Sequence, residues 1–106
     1  MAPGPLDGRH ALVTGAGSGI GAAIARALGA AGARVTLAGR RREPLEDVAR
    51  ELPGGASLVA DGFDVTDTAA IASGLARARE VFGPVSILVN NAGEAPSAPF
   101  ERTSLE

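Results

Sequence analysis

Short apolar runs alternate with longer segments of helical spacing along this chain. The run Ile87-Leu88-Val89 has no polar position, which is typical of a strand that is buried on both faces of a sheet. Pro53-Gly54-Gly55 and Gly83-Pro84 end helical segments and return the chain. The alternation predicts an α/β fold with right-handed crossovers, a doubly wound parallel sheet of strand order 3-2-1-4. The predicted strands span 10–14, 34–38, 57–63 and 86–90, and the predicted helices span 20–31, 43–52 and 67–82.

A glycine-rich run follows the first predicted strand and opens the first predicted helix. Glycines let the backbone turn sharply and let a ligand approach where a Cβ would clash. The N–H groups and the positive dipole end of the following helix then face an anion. We therefore predict a nucleotide phosphate site here, with the Thr14 hydroxyl bracing the turn. The predicted site residues are Gly15, Gly17, Ser18, Gly19, Ile20 and Gly21.

The spacing of these glycines leaves more than one ligand open. The sixth position from Gly15 is Ile20, so the general dinucleotide fingerprint is not met. A Walker-type loop needs a Gly-Lys-Ser/Thr ending, and the chain contains no lysine, which argues against ATP hydrolysis. A methyltransferase-like loop for S-adenosylmethionine remains an alternative, although it usually has an acidic residue at the end of the next strand.

Three arginines stand where an acidic residue would hold the ribose of NAD(H). The second predicted strand ends at Gly39-Arg40-Arg41-Arg42, about twenty residues after the glycines. A guanidinium can donate two parallel hydrogen bonds to a phosphate and can stack on adenine. The run favours NADP(H) over NAD(H) and over S-adenosylmethionine, with Arg40 as the predicted phosphate ligand. A solvated helix start is the alternative interpretation.

Three motifs in this order resemble the short-chain dehydrogenase/reductase family. Thr14-Gly15-x-x-x-Gly19-Ile20-Gly21 is similar to its glycine motif, and Asp64-Val65 is similar to its adenine-contacting pair. Asn90-Asn91-Ala92-Gly93 is similar to its Asn-Asn-Ala-Gly motif, and the resemblance covers residues 10–106. It implies a Rossmann-like fold in an NAD(P)(H)-dependent oxidoreductase. Such an enzyme transfers a hydride between the nicotinamide and an alcohol or carbonyl substrate.

The resemblance also implies a role for each matched residue. Residues 15–21 would hold the pyrophosphate, and Arg40 would contact the adenosine ribose or its 2′-phosphate. Asp64 would bind the adenine amine, with Val65 packed on the ring. The residues along the cofactor ribose would be Asn91, Ala92 and Gly93, while Asn90 would tie the fourth strand to its neighbours.

Two residues qualify this assignment. Ser18 stands where NADP(H)-preferring relatives often have a second basic residue in the glycine turn. Asp64 could instead cap a helix, but Asp67 and Thr66 are better placed to cap the third predicted helix.

The residues that transfer protons in this family are missing from the sequence. Its reductases use a Tyr-x-x-x-Lys pair, and these 106 residues contain neither tyrosine nor lysine. Thr103-Ser104-Leu105-Glu106 reads as a capping box that opens a helix. We therefore expect a truncated, cofactor-binding part of an enzyme with no catalytic residue of its own. A non-catalytic nucleotide-binding module or a truncated gene product is the alternative function.

Composition and charge exclude several other classes of binding partner. The net charge of −2 argues against nucleic acid and membrane surfaces as partners. The absence of cysteine excludes disulfides and cysteine-based zinc sites, and we expect no bound metal. No apolar run approaches the ~20 residues of a membrane span, so a cytoplasmic location is expected. We predict a disordered N-terminus at 1–8, one domain at 9–106, and His10 at the surface or a strand edge. The resemblance implies a homo-oligomer for the intact enzyme.

Overall fold

The computed structural model describes residues 4–64 and 66–91, which form a parallel sheet with helices on both faces. Strands and helices alternate throughout this part of the chain, as the sequence predicts. The elements are β1 (His10–Thr14), α1 (Gly19–Ala30), β2 (Arg34–Ala38), α2 (Arg42–Ala49), β3 (Ser57–Ala60), α3 (Thr68–Phe82) and β4 (Ile87–Val89).

The sheet has the predicted strand order β3-β2-β1-β4, and all its neighbouring strands are parallel. Thr14 at the end of β1 lies opposite Ala38 at the end of β2, and Ala38 lies opposite Ala60 at the end of β3. On the other side of β1, Val13 lies opposite Val89. The four strands therefore end at one edge. The strand order reverses at β1, because β2 and β3 lie on one side of it and β4 lies on the other. In an open α/β sheet this is the position of a ligand crevice.

The main core lies between the sheet and the two helices α1 and α2. Alternate residues of β1 and β2 point into it, as the two-residue period of a strand requires. Helix α1 contributes the small residues Ala22 and Ala25, which let it approach the sheet closely, whereas α2 contributes the larger Leu45 and Val48. On the opposite face, Phe63 and Ile71 pack against Ala38 and Ala60 in a smaller cluster that includes α3. Buried residues of the main core include Ala11, Val13, Val35, Leu37, Ala22, Ala25, Leu45 and Val48.

Strand β4 is less buried than predicted. Ile87 and Val89 are half-buried and pack against the main core, but the side chain of Leu88 points to the other face and the residue is 65% exposed. On that face, Leu88 lines an open groove with Leu12 of β1 and Leu75 of α3. The prediction of burial on both faces is therefore wrong within the described residues, since α3 flanks this part of the sheet without covering β4.

His10 corrects a second expectation, because it is buried with only 2% of its surface exposed. Its Nδ1 lies 2.9 Å from the Gly83 carbonyl oxygen, and its Nε2 lies 2.7 Å from Thr36 Oγ1. A carbonyl can only accept, so Nδ1 carries the donated hydrogen. The Phe82 ring meets the imidazole edge-on at 5.3 Å between centroids. The position of His10 in the sequence, just before an apolar run, did not predict contacts with Thr36 and Gly83.

Three boundaries differ from the predicted ones by more than one residue. Strand β3 ends at Ala60 because Gly62, at φ 71°, turns the chain towards β2. Helix α2 ends at Ala49, and the next residues form tighter turns through the bonds from Glu51 N–H to Val48 and from Leu52 N–H to Ala49. Residues 4–8, predicted to be disordered, form turns, since Leu6 packs against the core and its N–H donates to the Ala31 carbonyl.

Candidate cofactor-binding site

The predicted site residues come together at the carboxyl edge of the sheet. The glycine turn follows β1, the arginines follow β2, Asp64 follows β3 and Asn91 follows β4. Three predicted residues, Val65, Ala92 and Gly93, lie outside the described residues. The remaining ones surround the edge at which the parallel strands end and the helix N-termini present backbone N–H donors to a ligand.

The turn after β1 needs glycine for two different reasons. Gly15 and Gly19 have φ values of 63° and 57°, a backbone conformation that residues with a Cβ rarely adopt. Gly21 is needed for space: a Cβ there would overlap the Gly15 carbonyl oxygen and lie 2.7 Å from Asn91 Nδ2. The start of α1 thus packs directly on the turn, and the backbone of the two segments forms a concave surface, which we call the glycine cradle.

The N-terminus of α1 carries no group that competes with an anion. Ser18 is the N-cap residue, but its side chain makes no capping hydrogen bond, and the first turn contains no acidic residue. Helix α3 is different, because Asp67 caps it by accepting a hydrogen bond from the Ala70 N–H at 3.1 Å. The predicted cap at Asp67 is confirmed. A helix that begins without a side-chain cap can offer its first N–H groups to a phosphate.

Thr14 joins the end of β1 to the end of β4. Its hydroxyl donates to Asn90 Oδ1 at 3.1 Å and accepts from the Asn91 N–H at 2.8 Å. Asn91 Nδ2 in turn lies 3.5 Å from the Gly15 carbonyl oxygen. The Thr14 hydroxyl therefore holds the end of β4, whereas the sequence predicted that it would brace the glycine turn. Asn90 ties β4 to its neighbour as predicted.

An open pocket of about 210 Å³ separates the glycine turn from the start of α2. One wall is the glycine turn, and the opposite wall is the segment that connects β2 to α2. A Cβ on Gly17 would lie 2.8 Å from the Pro44 Cβ, so the glycine allows the two walls to approach each other at this point. The lining residues are Gly15, Gly17, Ser18, Gly39, Arg40, Arg41, Pro44 and Leu45.

The three arginines after β2 have different partners. Arg42 is engaged by two carboxylates: its Nε donates to Glu46 at 2.8 Å and its Nη1 donates to Asp61 at 2.9 Å. The hydrogen bond to Glu46, together with the charges of Asp61 and Glu46, raises the pKa of Arg42 above its ordinary value. Arg40 is 71% exposed in its side chain and lies 3.9 Å from Asp64.

Arg41 also lines the pocket, although the sequence predicted only Arg40 as the phosphate ligand. It forms no ion pair within residues 4–64 and 66–91. Glu46 lies four residues after Arg42, and this helical spacing is the sequence signal that could have assigned Arg42 to an ion pair. Arg40 and Arg41 are therefore the two guanidinium groups at the pocket.

Asp64 forms an Asx turn that holds it in its ionised form. Its Oδ1 accepts from the Thr66 N–H at 2.9 Å and from the Thr66 hydroxyl at 2.8 Å. The backbone N–H of Thr66, then its hydroxyl, and to a smaller extent Arg40 lower the pKa of the Asp64 carboxyl. These bonds are thus kept at neutral pH and lost only as the pH falls through the lowered pKa. An ionised carboxylate can accept a hydrogen bond from an exocyclic amine.

A family model described as short chain dehydrogenase matches residues 9–106. The chain belongs to this family. It is 46% identical over 103 residues to a D-threitol dehydrogenase of Mycolicibacterium smegmatis, covering 95% of this chain and 39% of that protein. It is 44% identical to an L-xylulose reductase of Bos taurus, covering 95% of this chain and 38% of the relative.

Solved structures of the family share the fold. A metagenomic short-chain oxidoreductase in complex with NADP is 45% identical with a TM-score of 0.77, over 84% of this chain and 41% of that one. A short chain dehydrogenase from Bacillus anthracis is 34% identical with a TM-score of 0.77, over 82% of this chain and 35% of that one. The chain therefore spans about two fifths of the length of these relatives.

Family membership fixes the class of ligand. Short-chain dehydrogenases bind nicotinamide dinucleotides, so a nicotinamide dinucleotide replaces S-adenosylmethionine as the expected class of ligand. Within residues 4–64 and 66–91, no cluster of side chains could hold a metal ion. The same part of the chain contains no helix long and apolar enough to cross a membrane.

Proposed function

We propose that this chain is the cofactor-binding part of an oxidoreductase that prefers NADP(H) to NAD(H). The observation that carries the proposal is the pair of guanidinium groups, Arg40 and Arg41, on the wall of the pocket opposite the glycine turn. The pair Gly39-Arg40 stands where an acidic residue would bind the ribose hydroxyls of NAD(H). A carboxylate at that place would repel a 2′-phosphate, and two arginines attract it.

Each wall of the site has a proposed role. The backbone of residues 15–21 holds the pyrophosphate, and Arg40 and Arg41 hold the 2′-phosphate. Ser18 lines the same pocket, so its hydroxyl supplies a donor where a basic residue is absent. Asp64 accepts from the adenine amine, and Asn91 lies along the ribose. Val65, Ala92 and Gly93 retain the roles that the family resemblance implies.

The reaction proposed for the whole protein is hydride transfer between the nicotinamide and an alcohol or carbonyl carbon. When bound, the cofactor accepts or supplies that hydride. Several relatives are named for polyols and ketoses, among them D-threitol, L-xylulose, D-erythrulose and galactitol. A panel of such compounds is therefore the first substrate set to test. The whole enzyme is proposed to be a homo-oligomer.

A non-catalytic nucleotide-binding module remains the second candidate function, because the sequence contains neither tyrosine nor lysine for proton transfer. The two functions differ in turnover by the whole protein. Absorbance of NADPH at 340 nm, followed with the polyol and ketose panel, distinguishes them. Turnover supports the oxidoreductase, and tight NADPH binding without turnover on any alcohol or carbonyl compound supports the module.

Replacing Arg40 or Arg41 with alanine is expected to weaken NADPH binding and to leave NADH binding nearly unchanged. Each guanidinium donates charge-assisted hydrogen bonds to the 2′-phosphate, and such bonds contribute about 1.5–3 kcal/mol each. We expect each single variant to lose about tenfold or more in NADPH affinity, as measured by calorimetric titration.

Arg50→Ala is the matched control for this experiment. Arg50 is an exposed arginine beside the far end of α2 and pairs with Asp47, so its removal changes the net charge equally without touching the pocket. Affinities for NADPH and NADH that are equal in the parent and unchanged by Arg40→Ala and Arg41→Ala would contradict the proposed preference.

A further inference from the structure

The segment Gly39–Arg42 carries the two pocket arginines, and its backbone is attached on the side away from the pocket. We call Asp61–Phe63, which follows β3, the β3 turn. The Gly62 N–H donates to the Arg40 carbonyl at 3.1 Å, and the Phe63 N–H donates to the Gly39 carbonyl at 3.0 Å. These two bonds fix the beginning of the segment against the β3 turn.

Arg42 attaches the other end of the segment to the same turn. Its Nη1 donates to Asp61 Oδ1 at 2.9 Å, while its Nε donates to Glu46 Oε2 within α2 at 2.8 Å. One guanidinium thus joins the first turn of α2 to the β3 turn. The Arg40 carbonyl is itself one of the backbone attachments, and Arg41 lies between it and the side-chain attachment at Arg42, so both ends of the segment are fixed before any ligand binds.

The charges around Arg42 argue against direct phosphate binding by this residue. Two carboxylates share its single guanidinium, so the cluster as a whole is negative. The pocket is lined by Arg40 and Arg41, and Arg42 is not among its lining residues. Half-exposed ion pairs of this kind contribute little to the free energy of folding. Their consequence is local: they restrict the backbone between two anchoring points.

We propose that Arg42 is a positioning residue for cofactor discrimination, acting through its bridge between Asp61 and Glu46. This inference rests on the proposed preference for NADP(H). Holding the segment in place removes part of the ordering cost that Arg40 and Arg41 would otherwise meet on binding a 2′-phosphate. NADH does not use these arginines as phosphate ligands, so the bridge favours NADPH selectively.

The test is the ratio of NADPH affinity to NADH affinity in variants of the bridge. Arg42→Met removes both ion pairs with a side chain of similar length, and Asp61→Ala removes the anchor on the β3 turn. We expect each variant to lower the ratio about threefold to tenfold, the range expected from ordering one or two long side chains. Arg42→Lys, which can pair with one carboxylate, should recover part of the ratio.

The sign of the Asp61→Ala effect separates positioning from electrostatics. If Arg42 bound the phosphate directly, or if only net charge mattered, removing Asp61 would raise the ratio. The double variant Arg42→Met/Asp61→Ala restores the parent net charge. Positioning predicts a ratio as low as in Arg42→Met, and an effect of net charge alone predicts the parent ratio. Arg50→Met is the control for loss of one positive charge at the far end of α2, and its ratio should equal that of the parent.

A second readout needs no cofactor. The amide hydrogens of Gly62 and Phe63, whose bonds hold the segment, should exchange faster in Arg42→Met than in the parent. A high parent ratio that Arg42→Met leaves unchanged overturns the positioning role alone, as does an Asp61→Ala ratio at or above the parent value. Equal affinities in the parent overturn the NADP(H) preference itself, and the inference with it.

Discussion

Replacing Gly21 with alanine is expected to lower the affinity for either nicotinamide cofactor about 100-fold. The new Cβ would overlap the Gly15 carbonyl oxygen and lie 2.7 Å from Asn91 Nδ2. Because the first contact is with backbone, no side-chain rotation relieves it, and α1 must move away from the glycine turn. Overpacking of this kind costs typically 1–3 kcal/mol, and about 3 kcal/mol corresponds to the stated loss. Fluorescence titration with NADPH and with NADH measures it.

The matched control is Gly54→Ala. A Cβ at Gly54 meets no atom within 4 Å, and this glycine lies in the loop before β3, at the opposite edge of the sheet. Its affinities should equal those of the parent. A Gly21→Ala protein that is folded by circular dichroism and binds both cofactors normally would contradict the close packing of α1 on the turn.

Replacing His10 with alanine is expected to lower the free energy of unfolding by about 2–4 kcal/mol without changing the selectivity between cofactors. The substitution leaves the Thr36 hydroxyl buried without its 2.7 Å partner and the Gly83 carbonyl without its 2.9 Å partner. An unsatisfied buried polar group costs about 1–3 kcal/mol, and the vacated ring volume adds a cavity cost. Urea denaturation of the parent and the variant measures the difference.

Two further variants identify the source of this loss. Asparagine can place an amide nitrogen close to the position of the imidazole Nδ1, so His10→Asn should recover the bond to Gly83 and part of the stability. In His10→Ala/Thr36→Val the orphaned hydroxyl is absent, so its destabilisation should be smaller than the sum of the two single changes. Additive effects would show that His10 contributes only by packing.

The order of the elements and most of the phosphate site follow from local sequence. Apolar runs of three to five residues, the interrupting Gly and Pro residues, and helical spacing give the alternation that parallel crossovers require. β1 and β2 have the predicted bounds because their ends are set by charged or glycine-containing neighbours. The glycine turn is likewise a local feature, since Gly15 and Gly19 have the positive φ values that residues with a Cβ rarely adopt.

Partners that are distant in the chain could not be assigned in the same way. The Thr14 hydroxyl meets Asn90 and Asn91, which are more than seventy residues away, and a single sequence contains no record of that contact. The position of His10 just before an apolar run predicts a surface or strand-edge residue, and its partners Thr36 and Gly83 are distant in the sequence. Likewise, three adjacent arginines look equivalent until the fold brings Asp61 to one of them.

The sequence by itself determined the family and the glycine cradle, because these depend on residue types at fixed short spacings. The strand order followed from the general rule for chains in which strands and helices alternate. Only the tertiary structure decided that Arg40 and Arg41 line the pocket while Arg42 joins α2 to the β3 turn. It also decided that β4 exposes Leu88 and that His10 is buried. The physical reason is the same in each case: burial and ion pairing depend on which strand or turn lies opposite a side chain. The register of the sheet decides which strand or turn lies opposite each side chain, and the local spacing of residue types does not predict that register.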